Sequence, residues 1–205
     1  MAFACYASSF EVQRDKVGVH KIERRAVFLD RDGIINRSIV RDGLPYPPAS
    51  ASELEFTPGI ENTLRTLKEA GWFLVIVTNQ PDVARGTATR ESVEEIHSLI
   101  RHQLPVDAVY ACYHDSGEGC ECRKPRPGML LTAAREMNLD LSRSFMVGDR
   151  WRDVDAGNAA GCHTIFVDYG YTEELKSRPD YVIDAPQKMT DIILQQKEEK
   201  GESNS

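Results

Sequence analysis

A chain of 205 residues, 41% of them hydrophobic, is long enough for one domain with a substantial core, burying roughly 70% of the surface its unfolded form would expose. The formal net charge of −7 argues against a general nucleic-acid binder, whose footprint is a basic patch or stripe, but leaves room for a small anion held by local charge. No apolar run approaches the roughly 20 residues of a membrane span, and the opening MAFACYASSF has neither a cationic start nor a continuous apolar centre, so the expectation is a soluble, cytoplasmic protein that does not contact membranes.

Residues 1–24 mix polar and charged types without a sustained period and read as a loosely ordered extension. Residues 25–194 read as a single domain, and 195–205, QQKEEKGESNS, as a disordered tail. Within the domain, AVFL (26–29) is an apolar run that stops at Asp30 and Asp32, two carboxylates one residue apart. Like charges that close repel, so the pair needs a cation or a shared proton. Residues 38–56 read as a loop. In TPGIENTLRTLKEAG (57–71), Thr57 can cap a helix, Pro58 suits its first turn, Ile60, Leu64 and Leu67 share one face, and Gly71 suits the stop. WFLVIV then runs into Thr78 and Asn79. A second helix begins near Thr89 and buries Val93, Ile96 and Ile100. DAVYAC precedes a loop carrying Arg123 and Lys124, and a third helix opens with Pro127 and buries Leu130, Ala134 and Met137. SFMVG ends at Asp149, with Asp153 four residues on, and HTIFV follows. Short apolar runs alternating with helical segments predict an α/β fold with a mostly parallel sheet.

In such sheets ligands bind beyond the carboxyl ends of the strands. An Asp or Thr after one strand is commonly a turn or cap residue. Four strand ends presenting carboxylates, a hydroxyl and a cation together are a different matter. Carboxylates in oxygen-rich surroundings suit Mg2+, which takes one or two of them and keeps waters and phosphate as its other ligands. Thr78, Asn79 and Lys124 would then hold the phosphate oxygens.

The ordered set DxDG, TN, RKP and GDxxxD over residues 26–153 resembles the phosphatases of the haloacid dehalogenase superfamily. The resemblance implies a Rossmann-like three-layer fold in which Asp30 is the nucleophile, forming an aspartyl-phosphate, and Asp32 is first acid and then base. It also implies that Asp30, the backbone carbonyl of Asp32 and Asp149 ligate Mg2+, with Asp153 as support or as a ligand through water. The residue types suit that chemistry, since covalent catalysis splits one hard displacement into two and a second carboxylate can protonate the leaving oxygen.

Three of the five cysteines fall within eleven residues. Cys112, His114, Cys120 and Cys122 form a C-x-H-x5-C-x-C set suited to structural zinc rather than to disulfides. Cys122 stands two residues before Lys124, so the metal would fix the loop that delivers the cation. A zinc loop joined to CRKPRPGM resembles the branch containing heptose-bisphosphate and histidinol-phosphate phosphatases. TNQ with VARG (83–86) and RKPRPGM (123–129) look like the heptose enzymes. The short His114-to-Cys120 spacing also occurs among the histidinol enzymes, and Tyr113 and Asp115 depart from the frequent CPHH wording.

Many superfamily members carry an inserted cap, but the segments 38–56 and 79–123 leave no room for one. Selectivity would then fall to the loops 38–56, 81–86 and 112–122, where Arg85, Arg123 and Arg126 are candidates to meet a second anionic group, because guanidinium matches phosphate at two points. The expectation is a monomeric, Mg2+-dependent phosphatase of a small sugar bisphosphate, the 7-phosphate of the heptose 1,7-bisphosphate favoured, with zinc in its loop. Histidinol phosphate is the alternative substrate, and a phosphate-binding regulatory module without turnover the alternative class.

Overall fold

The computed structural model describes residues 24–198; what the sequence suggests for residues 1–23 and 199–205 lies outside the described residues. Six strands form one sheet: β1 (Ala26–Leu29), β4 (Phe73–Asn79), β5 (Ala108–Cys112), β6 (Phe145–Gly148), β7 (His163–Val167) and β8 (Tyr181–Ile183), in the order β5-β4-β1-β6-β7-β8. Every neighbouring pair is parallel; Leu29 of β1 lies opposite Ile76 on one side and Val147 on the other. Because strand side chains alternate, Val27 and Leu29 face one helical layer and Ala26 and Phe28 the other. The first layer is α1 (Ile60–Glu69), α2 (Arg90–Gln103) and α5 (Met189–Glu198), contributing Leu64, Ile96 and Ile193 to its core. The second is α3 (Gly128–Met137) and α4 (Trp151–Ala160), contributing Leu130 and Ala156. A sheet covered on both faces needs continuous apolar strands, which is why AVFL and FLVIV show no alternation.

The chain passes from β1 to β4 on one side and returns to β6 on the other. This reversal opens a crevice at the carboxyl end of β1. Among the described residues, the first candidate cap position holds only a hairpin of β2 (Ile39–Arg41) and β3 (Leu44–Tyr46) followed by a short 3-10 turn, Ala51–Glu53, and the second is taken up by α2, β5 and the loop 112–122.

That hairpin corrects the expectation of a bare loop over 38–56. Its turn is Asp42-Gly43, with φ of 51° and 74°, the left-handed pair that two-residue hairpins favour. Thr57 does not cap α1. The N-cap is Gly59, with φ of 76°, while the Thr57 hydroxyl is buried without a hydrogen-bond partner and only its carbonyl accepts, from the Ile60 N–H at 3.0 Å. Gly71 does close the helix, with φ of +85°. Thr89 caps α2 by accepting from the Ser92 N–H at 3.1 Å. On α3 the buried face is Met129, Leu130 and Ala133, with Ala134 and Met137 only half-buried. Strand β8 and helices α4 and α5 add to the expected elements, and α5 runs past the boundary drawn at residue 195.

Candidate active site

The crevice gathers Asp30 from the end of β1, Lys124 from the loop after β5, and Asp149 and Asp153 from the turn between β6 and α4. Lys124 is 2% exposed, and its ammonium lies 2.9 Å from Asp30 Oδ1, 2.6 Å from Asp153 Oδ1 and 2.8 Å from the Val77 carbonyl. Asp30 Oδ1 also accepts from the Arg31 N–H at 2.7 Å. Oδ2 is thus the oxygen of Asp30 that no protein donor engages among the described residues. Asp149 is buried, and its carboxylate oxygens make no hydrogen bond of ordinary geometry, the Tyr171 hydroxyl being near enough only to favour the ionised form slightly. Such an orphaned anion costs several kcal/mol unless something pairs with it.

One ammonium does not balance three buried carboxylates. The Asp30 pKa is pushed up to about 7, by burial first and then by Asp153, with Lys124 pulling the other way. Burial, followed by Asp30 and Asp153, raises Asp149 well above the usual carboxylate range. Lys124 is raised, because Asp153 and Asp30 outweigh the burial that works against its charge. Asp30, Asp149 and Asp153 each bring an oxygen within 4.8 Å of the others. An all-oxygen, charge-deficient set of this kind fits Mg2+. The backbone makes the room: a Cβ on Gly33, whose φ is +93°, would lie 2.1 Å from Asp149 Oδ2, and one on Gly148 would lie 2.3 Å from the Asp153 carboxylate.

Asp32 sits beside this cluster and is held by side chains that motif spacing did not single out. Arg31, 0% exposed, donates from Nε and Nη2 to Asp32 Oδ1 at 3.1 and 3.0 Å and from Nη2 to Oδ2 at 2.9 Å. Asn36 donates to Oδ1 at 3.0 Å and Gln80 to Oδ2 at 2.9 Å. Thr78 lies buried beneath, its hydroxyl accepting from Gln80 at 2.9 Å. Asn79 lines the cavity and also braces the loop: its amide donates to the Lys124 carbonyl and accepts from the Lys124 N–H, both at 3.0 Å.

Cys112, His114, Cys120 and Cys122 converge. Cys112 Sγ is 3.7 Å from Cys120 Sγ, 3.3 Å from Cys122 Sγ and 3.5 Å from His114 Nδ1, which is 3.3 Å from Cys122 Sγ. Ordinary zinc–ligand lengths in a tetrahedron give edges of about 3.8 Å between sulfurs and about 3.6 Å from sulfur to nitrogen. The set therefore fits zinc with little adjustment. Arg126 donates to the carbonyls of Gly119 and Cys120, both at 2.7 Å, so it serves the loop and not a second anion.

The cavity above Asp30 and Asp32 encloses about 320 Å³ and is rimmed by Tyr46, Arg85, Arg123, Arg150 and Arg152. Arg123 donates to the His114 carbonyl at 3.1 Å. Arg85 is paired with Asp115 at 2.8 Å and with Asp82 at 3.4 Å, and Arg150 and Arg152 share Glu173.

A family profile described as HAD-hydrolase-like matches residues 121–187. The chain is 36% identical over 176 residues to the D-glycero-beta-D-manno-heptose-1,7-bisphosphate 7-phosphatase of Pasteurella multocida, covering 79% of this chain and 92% of that protein. It is 38% identical over 175 residues to the Yersinia pestis protein of the same name, covering 78% and 90%. The chain belongs to the haloacid dehalogenase superfamily, in the family of these heptose-bisphosphate phosphatases. A solved structure of the D,D-heptose 1,7-bisphosphate phosphatase of B. bronchiseptica, complexed with magnesium and phosphate, superposes with a TM-score of 0.69 at 30% identity, covering 84% of this chain and 99% of that one. The capless α/β architecture expected from the haloacid dehalogenase motifs is thus the architecture of the family. Arg31, Asn36, Gln80 and His97 are what motif reading missed. His97 had a signal, since with Val93, Ile96 and Ile100 it completes the i, i+3, i+4, i+7 face of α2.

Proposed function

We propose that this phosphatase removes the 7-phosphate of D-glycero-D-manno-heptose 1,7-bisphosphate, acting as a cytoplasmic monomer without nucleic-acid or membrane partners. The observation that carries the chemistry is the meeting of Asp30, Lys124, Asp149 and Asp153 with a firmly held Asp32 at the reversal point of the sheet. Asp30 Oδ2 attacks phosphorus and the bond to the sugar oxygen breaks. That oxygen takes its proton from Asp32. Asp32, now a carboxylate, accepts a proton from the water that attacks the aspartyl-phosphate, which releases inorganic phosphate and restores Asp30. Lys124 pairs with the transferred phosphoryl oxygens by giving up one of the three acceptors it holds at rest, and Thr78 and Asn79 hold the floor and loop beneath them. Asp30, Asp149 and the Asp32 carbonyl, with Asp153 in support, would hold Mg2+, which when bound would supply further positive charge to the phosphoryl group. Cys112, His114, Cys120 and Cys122 would hold zinc, which would keep the loop bearing Arg123 and Lys124 in place.

The substrate reading rests on the named relatives and on the arginines around the open cavity. Arg123 and Arg85, both on the cavity rim, would meet the distal 1-phosphate, Arg85 by exchanging its half-buried Asp115 partner. The test is kcat/KM over a panel containing both anomers of the heptose bisphosphate, the matching monophosphate and histidinol phosphate. The bisphosphate should lead, with phosphate lost from carbon 7. A preference for histidinol phosphate would replace the substrate, and no release from any monoester would reduce the protein to a binding module.

A further inference from the structure

We propose that His97 and Glu94 are positioning residues for proton transfer by Asp32, acting through Arg31, and that Tyr113 extends the same chain of contacts to the zinc loop. The inference rests on the assignment of Asp32 as acid and base. Arg31 is enclosed and spends Nε and Nη2 on Asp32, which leaves Nη1 in need of an acceptor. His97, 1% exposed, provides one: Nη1 lies 3.3 Å from His97 Nε2. A guanidinium can only donate, so Nε2 must be the bare nitrogen and the ring proton resides on Nδ1. Nδ1 faces Glu94 Oε1 at 3.6 Å, and the same oxygen accepts a hydrogen bond from the Tyr113 hydroxyl.

Both ends of this chain are anchored. Glu94 stays ionised, its pKa drawn down to about 2, chiefly by His97 against the cost of burial and with help from Tyr113. Arg101 lies 3.9 Å from its other oxygen. Tyr113 stands between the zinc ligands Cys112 and His114, so the loop fixes where its ring points, and Arg90 lies over that ring at 4.7 Å. Arg31 therefore cannot swing without breaking contacts that run from α2 to the zinc loop. A carboxyl that must give a proton to a leaving oxygen and then take one from water has to hold its direction through both steps, and a displacement of about 1 Å can cost a hundredfold.

The experiment compares an alkyl phosphate, whose leaving oxygen needs a proton, with 4-nitrophenyl phosphate, whose leaving group does not. Tyr113→Phe keeps the ring and removes the hydroxyl; His97→Leu removes the acceptor for Arg31. The ratio of alkyl to aryl kcat/KM, which reports the first displacement and not the shared hydrolysis of the aspartyl-phosphate, should fall about threefold in Tyr113→Phe and at least about tenfold in His97→Leu. Imidazole nitrogen resonances of the wild type should report His97 with its proton on Nδ1. Equal losses on both substrates, an unchanged ratio in Tyr113→Phe, or a proton on Nε2 would overturn the inference while leaving the phosphatase reading intact. A wild type that turns over neither substrate would remove both.

Discussion

The charge deficit around Lys124 makes the effect of Mg2+ on stability depend on pH in a defined direction. Asp30 carries a carboxyl raised from 3.8 to about 7, so between those values the folded protein binds a proton that the unfolded chain does not. A raised carboxyl pKa therefore means stability that falls as pH climbs through that window. The gap corresponds to about 4 kcal/mol at its upper limit, and Asp149, raised in the same direction, adds to it. Mg2+ replaces the missing proton, so its stabilising effect should be small near pH 5 and large near pH 8. For a domain of this size each kcal/mol moves Tm by about 2–4 °C, which puts the difference in the Mg2+-induced shift on the order of 10 °C. Thermal unfolding of zinc-loaded protein with and without Mg2+, at several pH values, measures it. Other groups titrate too: His97 has a lowered pKa, burial being the main cause, and costs stability as pH falls below about 6.5. That contribution is common to both samples and cancels in the difference. A Mg2+-induced shift that is the same at pH 5 and pH 8 would refute the reasoning.

Lys124→Met should lower kcat/KM on the order of 10² to 10³ for monophosphate and bisphosphate alike, and differential scanning in Mg2+-free buffer should register the loss of the ammonium that lies among three buried carboxylates. Gly33→Ala should keep the fold but weaken Mg2+ at least about tenfold in titrations, because its Cβ would meet Asp149 Oδ2 at 2.1 Å in a backbone conformation that itself costs about 1–2 kcal/mol. Cys120→Ser should lower zinc content and loosen residues 112–128 in hydrogen exchange while β1, β4 and β6 stay protected, since structural zinc holds the loop and the domain has its own core. Arg123→Ala should reduce kcat/KM for the bisphosphate by about ten- to a hundredfold and spare the monophosphate; equal losses on the two would assign Arg123 to the common phosphate site.

Strand ends were legible because a parallel sheet buried on both faces demands unbroken apolar runs; AVFL and SFMVG stop at Asp30 and Asp149 in the crevice, and FLVIV stops at Thr78 beneath it. The metal loop was legible because ligand spacing in Cys112–Cys122 is local. What escaped were side chains whose role depends on distant partners. Arg31 lies between two aspartates that draw the attention of a motif search away from it, yet it is enclosed, and α2 brings His97 to it from 66 residues away. Asn79 reads as a phosphate ligand beside Thr78, but its amide is turned to the backbone of Lys124. Arg126 and Arg123 look alike in RKPRPG, and only the folded loop separates the one that binds its carbonyls from the one at the cavity rim. Thr57 has the chemistry of a cap, but Gly59, free to adopt positive φ, starts the helix two residues later.

The central claim is that phosphate passes through Asp30. A substrate whose 7-phosphate is replaced by a thiophosphate made chiral with two oxygen isotopes, hydrolysed in water carrying the third, releases a chiral thiophosphate whose configuration reports the number of displacements at phosphorus. Two in-line displacements, the first by Asp30 and the second by water, predict retention of configuration. Inversion would mean that water attacks the substrate directly, and would contradict the account.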